Sequence, residues 1–223
     1  MHIYSCGTIF RGISAEDKKL ISASETEMSF MRGDVIYNVG DRPSHLLCVV
    51  EGNVKICVTG LDRCQIVRFV CPGEFFGLRP LLARERYVLS AFAVSDVKIR
   101  CIPASLFSRL LATYPSISAA VASDLAACLG TIDKRLVSLT QKHTRGRLAE
   151  ALLDISSRFG RNFNTGAICC LLTREEIACY ANMTTANAIR TLSDFVAEGI
   201  ISLNGRQISI LDEKSLRRIC NLG

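Results

Sequence analysis

The chain has 223 residues, of which 49% are hydrophobic and 22% charged, so it is long enough to bury one or two cores and too apolar for a disordered protein. No apolar run reaches the roughly 18 residues of a membrane span, and the first residues lack the pattern of a signal peptide, so we expect a cytoplasmic protein. The net charge is +6, but residues 140–223 hold 11 basic and 8 acidic side chains, so charge alone locates no nucleic-acid-binding half.

The cysteines are numerous but are not arranged as a scaffold. There are 11 of them, an odd number in a long chain without a secretion signal, which favours reduced thiols. No Cys-x-x-Cys occurs, so the most specific signature of a zinc or iron–sulfur site is missing. Cys48 lies among apolar neighbours and is expected to be a small buried side chain. A redox sensor among the cysteines stays an open alternative.

Between residues 25 and 103, short β-rich runs alternate with turn residues. Their regular spacing is typical of an antiparallel sandwich or barrel. A Gly-Asn pair, Gly52 and Asn53, predicts a hairpin between two of the runs. The predicted strands are 35–37, 46–50, 54–59, 65–70, 88–94 and 97–102.

The segment 72–82 breaks this β pattern. Gly73 and Gly77 flank a glutamate and two phenylalanines, which favours a backbone that turns sharply against a ligand. A short helix that begins near Gly77 would direct free amide groups at an anion, and Glu74 would accept a hydrogen bond from a ligand hydroxyl. An ordinary corner of the barrel is the alternative.

Residues 116–142 contain no proline and one glycine, and their apolar residues follow one another at intervals of 4, 4, 3, 4, 4 and 3. This spacing predicts a helix of about 27 residues and about 40 Å, too long for one small domain. The simplest way to bury its stripe is to pair with a second subunit, so we predict a homodimer; packing along its own domain is the alternative. The stripe consists of Ile117, Val121, Leu125, Cys128, Ile132, Leu136 and Leu139.

The last third of the chain contains two predicted helices separated by a tight turn. Thr173 and Glu176 form a capping box at the start of the first helix, which reaches about residue 181. Asn182 and Met183 can make the turn, and Thr184 caps the second helix, which extends to about residue 198. Its predicted apolar face consists of Ala188, Ile189, Leu192, Phe195 and Val196.

Two β-runs follow, 200–203 and 207–211, and Asn-Gly-Arg joins them at 204–206. This hairpin signal suits the wing of a winged helix-turn-helix, and the combination favours DNA binding over a plain protein-binding role. The start of the second helix should enter the major groove, where Arg190 can pair with guanine and Asn187 with adenine. The predicted DNA-binding residues are Thr173, Arg174, Thr184, Thr185, Asn187, Arg190 and Arg206.

From about residue 10 to 212, the order of these parts resembles the CRP/FNR family of bacterial regulators. The stretches that match are 73–77, 144–149, 172–178, 189–192 and 204–208. The resemblance implies an α+β protein with an effector-sensing β-roll of the cyclic-nucleotide-binding type at 1–115, a dimerisation helix at 116–142 and a winged helix-turn-helix at 143–223. It also implies a transcriptional regulator without enzymatic activity. Such a homodimer binds a two-fold symmetric operator, contacts RNA polymerase and responds to an effector.

The effector residues that the resemblance implies are Gly73, Glu74, Phe75, Gly77, Leu78 and Arg86. Leu78 stands where cyclic-AMP-responsive members have a ribose-binding glutamate, and Arg86 only approximates their phosphate-binding arginine, which argues against cyclic AMP. Only Cys6 lies near the N-terminus, which argues against the iron–sulfur cluster of oxygen-sensing members. Thr185 and Ala186 replace a common Arg-Glu pair, so the operator should differ from the usual half-site.

Three other functions can be compared with this one. Haem-binding relatives sense nitric oxide or carbon monoxide, and His2, His45, His143 or a cysteine would be the iron ligand here. A cyclic-nucleotide-regulated interaction module without DNA binding is disfavoured by the predicted wing. A cupin-type enzyme is disfavoured because the roll contains a single histidine, His45.

Overall fold

A computed structural model of the chain describes residues 2–6, 9–60 and 64–222. These residues fold into two compact units, Met1–Thr59 with Arg68–Thr131, and Gly60–Val67 with Ile132–Gly223. The division falls inside the long helix. The outermost residues of the predicted domains, Met1 and Gly223, lie outside the described residues.

The β-roll is built on eight strands, all of which belong to the first unit except residues 64–67 of β5. They are β1 (Thr26–Phe30), β2 (Val35–Tyr37), β3 (His45–Glu51), β4 (Val54–Thr59), β5 (Cys64–Val70), β6 (Phe75–Phe76), β7 (Ser90–Ala93) and β8 (Val97–Pro103). Each of the six predicted runs contains a strand, whereas β1 and β6 were not predicted. The sequence Thr-Glu-Met-Ser-Phe of β1 has too weak an apolar alternation, and β6 is only two residues long.

The strands form two four-stranded sheets, in the orders β1-β8-β3-β6 and β2-β7-β4-β5. Strand β8 of the first sheet contributes to two hydrophobic cores, because successive side chains of a strand point to opposite faces. Val97, Ile99 and Cys101 lie in the core between the two sheets, together with Val54 and Ile56 of the second sheet. Ile102 lies in a second core, on the outer face of the first sheet. This arrangement is the antiparallel roll that the strand spacing predicted.

Helices cover the outer face of the first sheet. They are α1 (Ala15–Ser24), α2 (Leu78–Ala83), α3 (Ala104–Thr113) and the beginning of α4 (Pro115–Gln141). Phe10 lies at the centre of this second core and meets the rings of Phe75 and Phe107 edge-on, at centroid distances of 5.8 and 6.3 Å.

The long helix α4 differs from the prediction in how it is buried. Ile117 and Val121 are buried in the core of their own domain, so they have no surface to offer a second subunit. In contrast, Ile132 and Leu136 are 54% and 61% exposed. By length and composition alone α4 could also cross a membrane, contrary to our expectation from the sequence. Its first turns instead complete the core of the first unit.

The second unit contains several helices and a two-stranded β-hairpin. Its remaining elements are α5 (Thr144–Phe159), α6 (Arg174–Ala181), α7 (Thr185–Ala197), β9 (Ile201–Asn204), β10 (Gln207–Ile210) and α8 (Glu213–Leu222). Helix α8, which was not predicted, packs against α5 and buries Leu216. The hairpin turn is shorter than predicted, because Asn204 pairs with Gln207 and leaves Gly205 and Arg206 as its two residues.

Candidate nucleic-acid interface and effector region

The first helix of the helix-turn-helix begins at the predicted capping box. The Glu176 amide donates to Thr173 Oγ1 at 3.0 Å, and the Thr173 amide donates to Glu176 Oε2 at 2.9 Å. The Thr173 oxygen is therefore used as an acceptor. Its hydroxyl hydrogen can still donate to a phosphate oxygen.

The turn between α6 and α7 is fixed by Asn182 and Arg147. Asn182 adopts the left-handed conformation at φ 51°, which Asn tolerates better than most residues. The Arg147 guanidinium donates to the carbonyl oxygens of Ala181 and Asn182, each at 3.2 Å. This contact gives a structural reason for the Thr-Arg-Gly-Arg stretch in α5, because its second arginine holds the turn that sets the angle of α7.

Helix α7 starts at Thr184, whose Oγ1 accepts from the Asn187 amide at 3.3 Å. Its buried face is not quite the predicted one, because Ile189 and Val196 are 48% and 40% exposed and Thr191 is buried instead. The reason is angular: Ile189 is one residue, about 100°, beyond the buried Ala188. Both belonged to the predicted apolar face and are corrected here to surface positions.

The exposed face of α7 contains Ala186, Ile189, Arg190 and Ser193, spaced as one helical face. Arg190 donates to Asn187 Oδ1 at 2.9 Å, so the two predicted base-reading side chains are neighbours. Sequence reasoning missed Ile189 and Ser193, although counting three and seven residues from Ala186 would have found them. Thr185 is also exposed, at the start of the helix.

Arg174 lies at the start of α6, as predicted, and its side chain also contacts the wing. Its guanidinium donates to the carbonyl oxygen of Gly205 at 2.7 Å, which ties the start of α6 to the wing turn. A second guanidinium nitrogen is buried without a hydrogen-bond partner among the described residues, and burial lowers the pKa of the group. Arg174 therefore positions the wing, while Arg206 at the turn is exposed.

Several basic side chains of this unit form ion pairs, which include Arg145 with Glu198, Arg161 with Glu213 and Arg158 with Asp154. Arg190 and Arg206 are among those that have no acidic partner within the described part of the chain. The modest net charge of the last third thus includes one unpaired cation on the exposed face of α7 and one at the wing turn.

The predicted effector motif forms a tight corner of the roll. Gly73 and Gly77 have φ values of 87° and 70°, and α2 begins directly after Gly77, as expected. The sequence assigned Glu74 to a ligand hydroxyl, but its Oε2 accepts from the Cys71 amide at 3.1 Å. Phe75 and Leu78 are buried in the core. Five of the six implied effector residues thus belong to the corner itself.

Arg68 is a residue of this region that sequence reasoning missed. It lies on β5, and its guanidinium donates to the carbonyl oxygen of Phe75 at 3.0 Å and to Cys128 Sγ at 3.1 Å. It therefore links the motif to α4, and Cys128, assigned to the dimer stripe, is occupied within its own chain. The signal was a single charge between the apolar residues of the strand.

Gly77 offers a stability test of this corner. A Cβ at Gly77 would lie 2.9 Å from the hydroxyl of Tyr87, whose ring is held by stacking on Tyr37 at 3.7 Å. We expect Gly77→Ala to lower the free energy of unfolding by about 2–4 kcal/mol in urea titrations. Gly73→Ala is the matched control, because it has positive φ but open space, and should cost about 1–2 kcal/mol. Equal losses would show that the Tyr87 contact is unimportant.

The candidate iron ligands have other partners or positions. His2 pairs with Glu25, His45 Nδ1 lies 2.8 Å from Ser44 Oγ, and His143 precedes the first turn of α5. No group of three or more metal-ligating side chains occurs within residues 2–6, 9–60 and 64–222. All 11 cysteines fall in these ranges and none of them forms a disulfide, and Cys48 is buried as predicted.

A β-roll, a long helix and a winged helix-turn-helix together define a DNA-binding regulator. Two family models match the chain: the cyclic nucleotide-binding domain at residues 27–114 and the Crp-like helix-turn-helix domain at 146–219. The chain belongs to the CRP/FNR family of DNA-binding transcriptional regulators, which are not enzymes. The predicted family and fold class are confirmed.

Curated relatives and solved structures agree. The nitrogen fixation regulation protein FixK of Azorhizobium caulinodans is 28% identical over 94% of this chain and 86% of its own length. A CRP-like cAMP-activated global transcriptional regulator of Mycobacterium tuberculosis is 26% identical over 94% and 95%. The structure of FixK2 from Bradyrhizobium japonicum superimposes with a TM-score of 0.80 at 25% identity, covering 87% and 96% of the two chains.

Proposed function

We propose that this regulator is a cytoplasmic homodimer that binds a two-fold symmetric operator and changes its affinity for DNA when the β-roll senses a small effector. The observation that carries the proposal is the exposed face of α7, where Arg190 stands free of acidic partners between Ala186 and Ser193. A helix that presents such a face enters the major groove in helix-turn-helix proteins. RNA polymerase is the partner through which a bound regulator would act.

The dimer would be formed by a revised stripe on α4. Leu125, Leu129, Ile132, Leu136 and Leu139 follow one another at intervals of 4, 3, 4 and 3, which is the spacing of a coiled-coil seam. Three of them, including the newly added Leu129, are more than half exposed, whereas Ile117 and Val121 are excluded by their burial. An exposed apolar seam of this length is typical of a helix that packs against a partner helix, and α4 of a second subunit has the same seam.

Readout of the operator would be divided between helix and wing. Arg190 and Asn187 would recognise base edges, and Ile189 would contact a thymine methyl group. Thr173, Thr184 and Thr185 lie at or next to helix N-termini, where hydroxyls and backbone amides bind phosphate. Arg174 acts indirectly, by fixing the wing.

The effector is best described as a small ligand other than cyclic AMP. One relative is named for activation by cyclic AMP, but the position after Gly77 is a buried leucine here, Leu78. A haem-based sensor has less support, because His2 and His45 already bond to protein groups. A visible absorbance spectrum of the protein with added haem tests that alternative directly.

The test of the proposed function is selection of bound duplexes from a random library by the full-length protein. We expect enrichment of a palindrome whose half-sites are about one helical turn apart, as two-fold symmetry requires. An enriched single half-site would contradict the dimer, and no enrichment would contradict sequence-specific binding. Repeating the selection with cell-extract small molecules tests whether an effector is needed.

Arg206 should behave as a phosphate contact without sequence preference. Replacing it by Ala should weaken binding to all sequences alike and reduce the slope of log affinity against log salt by about 0.9 for each subunit. Titrations of operator and random duplex at several salt concentrations measure both effects. A loss confined to the operator would mean that Arg206 reads bases instead.

A further inference from the structure

A surface cleft of about 520 Å³ lies on the first unit, between the end of α2, the connection from β2 to β3 and the beginning of α3. Its volume is within the range of small-molecule sites, about 300–1,000 Å³. Of the effector residues implied by the family resemblance, only Arg86 lines it. The cleft is therefore separate from the glycine motif at Gly73 to Gly77.

Three arginines, Arg42, Arg84 and Arg86, line the cleft and make it strongly basic. The Arg86 guanidinium donates to the carbonyl oxygen of Gly40 at 2.6 Å, whereas the side chains of Arg42 and Arg84 have no hydrogen bond or ion pair within residues 2–6, 9–60 and 64–222. The one acidic residue in the lining, Glu85, is bound to Arg79 at 2.7 Å. The three arginines are exposed to water, which screens their mutual repulsion, and a bound anion would replace this repulsion by attraction.

The beginning of α3 adds a second feature that favours an anion. The residue before the helix is Pro103, which has no side-chain group to cap the first turn, although most helices use one. Ala104 and Ser105 of that first turn line the cleft, as does Ser108 one turn later. The Ala104 amide is already used, since it donates to the carbonyl oxygen of Ser44 at 2.9 Å. The positive end of the helix, two hydroxyls and the guanidinium groups thus surround the same space, and this combination suits a phosphate group.

The remaining lining is apolar and points to an organic ligand rather than a bare ion. Pro80 is buried, and Pro43 and Leu81 are half-buried, so they provide a surface against which an organic group can pack. A ligand that fits both the basic and the apolar part of the cleft has a multiply charged terminal group attached to an organic group with apolar faces. Three guanidiniums and one carboxylate that is paired with Arg79 leave the lining with a net positive charge, which a dianion compensates better than a monoanion.

We infer that this cleft binds a small organic phosphate monoester, whose dianionic phosphate lies among Arg42, Arg84 and the first turn of α3. The inference goes beyond the proposed function, because it requires neither DNA binding nor the dimer. It also differs from binding of a cyclic nucleotide, because a phosphodiester carries one negative charge and compensates less of the positive charge of the cleft than a dianion does.

Two variants remove a cation while preserving the fold. Arg42→Gln removes an exposed charge that has no partner. Arg84→Gly also relieves a left-handed backbone, since Arg84 has φ 57° and glycine adopts this conformation without cost, so the variant should be at least as stable as the parent protein. Arg11→Gln is the matched control, because Arg11 is exposed and does not line the cleft.

The experiment is calorimetric titration of the full-length protein and these variants with adenosine 5′-monophosphate, glucose 6-phosphate, inorganic phosphate and cyclic AMP. We expect at least one monoester to bind more tightly than inorganic phosphate and cyclic AMP. Arg42→Gln and Arg84→Gly should each weaken it by about tenfold, while Arg11→Gln leaves it unchanged.

The inference is overturned if neither monoester binds, if inorganic phosphate binds as tightly, which would indicate an adventitious ion only, or if the two variants bind like Arg11→Gln. Tighter binding of cyclic AMP would also overturn it, in favour of a cyclic-nucleotide site. Arg190→Ala should retain monoester binding. Failure of DNA recognition and failure of the cleft are therefore separate results.

Discussion

Arg190→Ala should lower the affinity for the selected operator by about 1–3 kcal/mol for each half-site, roughly tenfold to a hundredfold, with a much smaller effect on random DNA. The reason is that a guanidinium in the major groove pairs with two acceptors of guanine, which alanine cannot replace. Arg190 is exposed at the centre of the outer face of α7, and its hydrogen bond there is to a neutral side chain, Asn187. Electrophoretic titrations of operator and random duplex measure the two affinities.

Arg218→Ala is the matched control, because Arg218 is exposed on α8, outside the recognition helix and the wing. It should change both affinities equally and slightly. If Arg190→Ala leaves operator affinity and selectivity unchanged, the assigned role is wrong. A double-mutant cycle with Asn187→Ala measures how much the two side chains depend on each other, since they are hydrogen-bonded without DNA.

The double substitution Ile132→Asp and Leu136→Asp should convert the protein to monomers at micromolar concentration and abolish tight binding to the palindrome. Both side chains lie on the proposed seam of α4, and burying unpaired carboxylates against a second helix costs several kcal/mol. Because both are more than half exposed in the single chain, the monomer itself should stay folded. Sedimentation velocity and circular dichroism measure these two properties.

Val137→Asp is the matched control for the seam. Val137 is 59% exposed on the same helix, but it lies about 100° around the axis from Leu136 and outside the seam. It should leave the dimer intact. A dimer that survives the double substitution, or that is lost equally with Val137→Asp, would place the interface elsewhere.

The winged helix-turn-helix was the part most fully predicted from the sequence, because local interactions specify it. The capping box of Thr173 and the cap at Thr184 each depend on residues three positions apart, and the conformation of Asn182 is one that Asn itself tolerates. The contacts of Arg147 with the turn are the long-range exception. Ile189 was wrongly assigned to the buried face of α7, where Thr191, a small polar residue, is buried instead. Hydrophobicity alone does not separate a core residue from an apolar contact for DNA.

In the long helix α4, the spacing of apolar residues predicted the helix but not which of those residues are buried within their own domain. A stripe at intervals of three and four residues was visible, but the sequence did not distinguish the part buried in its own domain from the part left exposed. Ile117 and Val121 are covered because Phe107 and Phe10, distant in the sequence, complete that core. Only the tertiary structure moved the proposed seam toward Leu129, Ile132 and Leu136.

The sequence by itself determined the family and the DNA-binding output, because these follow from short-range patterns of caps, turns and helical spacing; the base-reading residues stay a prediction. The tertiary structure determined which residues of the first unit contact one another. It joined Arg68 to Phe75 and Cys128, assigned Glu74 to the backbone of its own loop, and brought Arg42 and Arg84 into one basic cleft. Such contacts join residues far apart in the chain, and their geometry depends on how sheets and helices pack rather than on any local pattern.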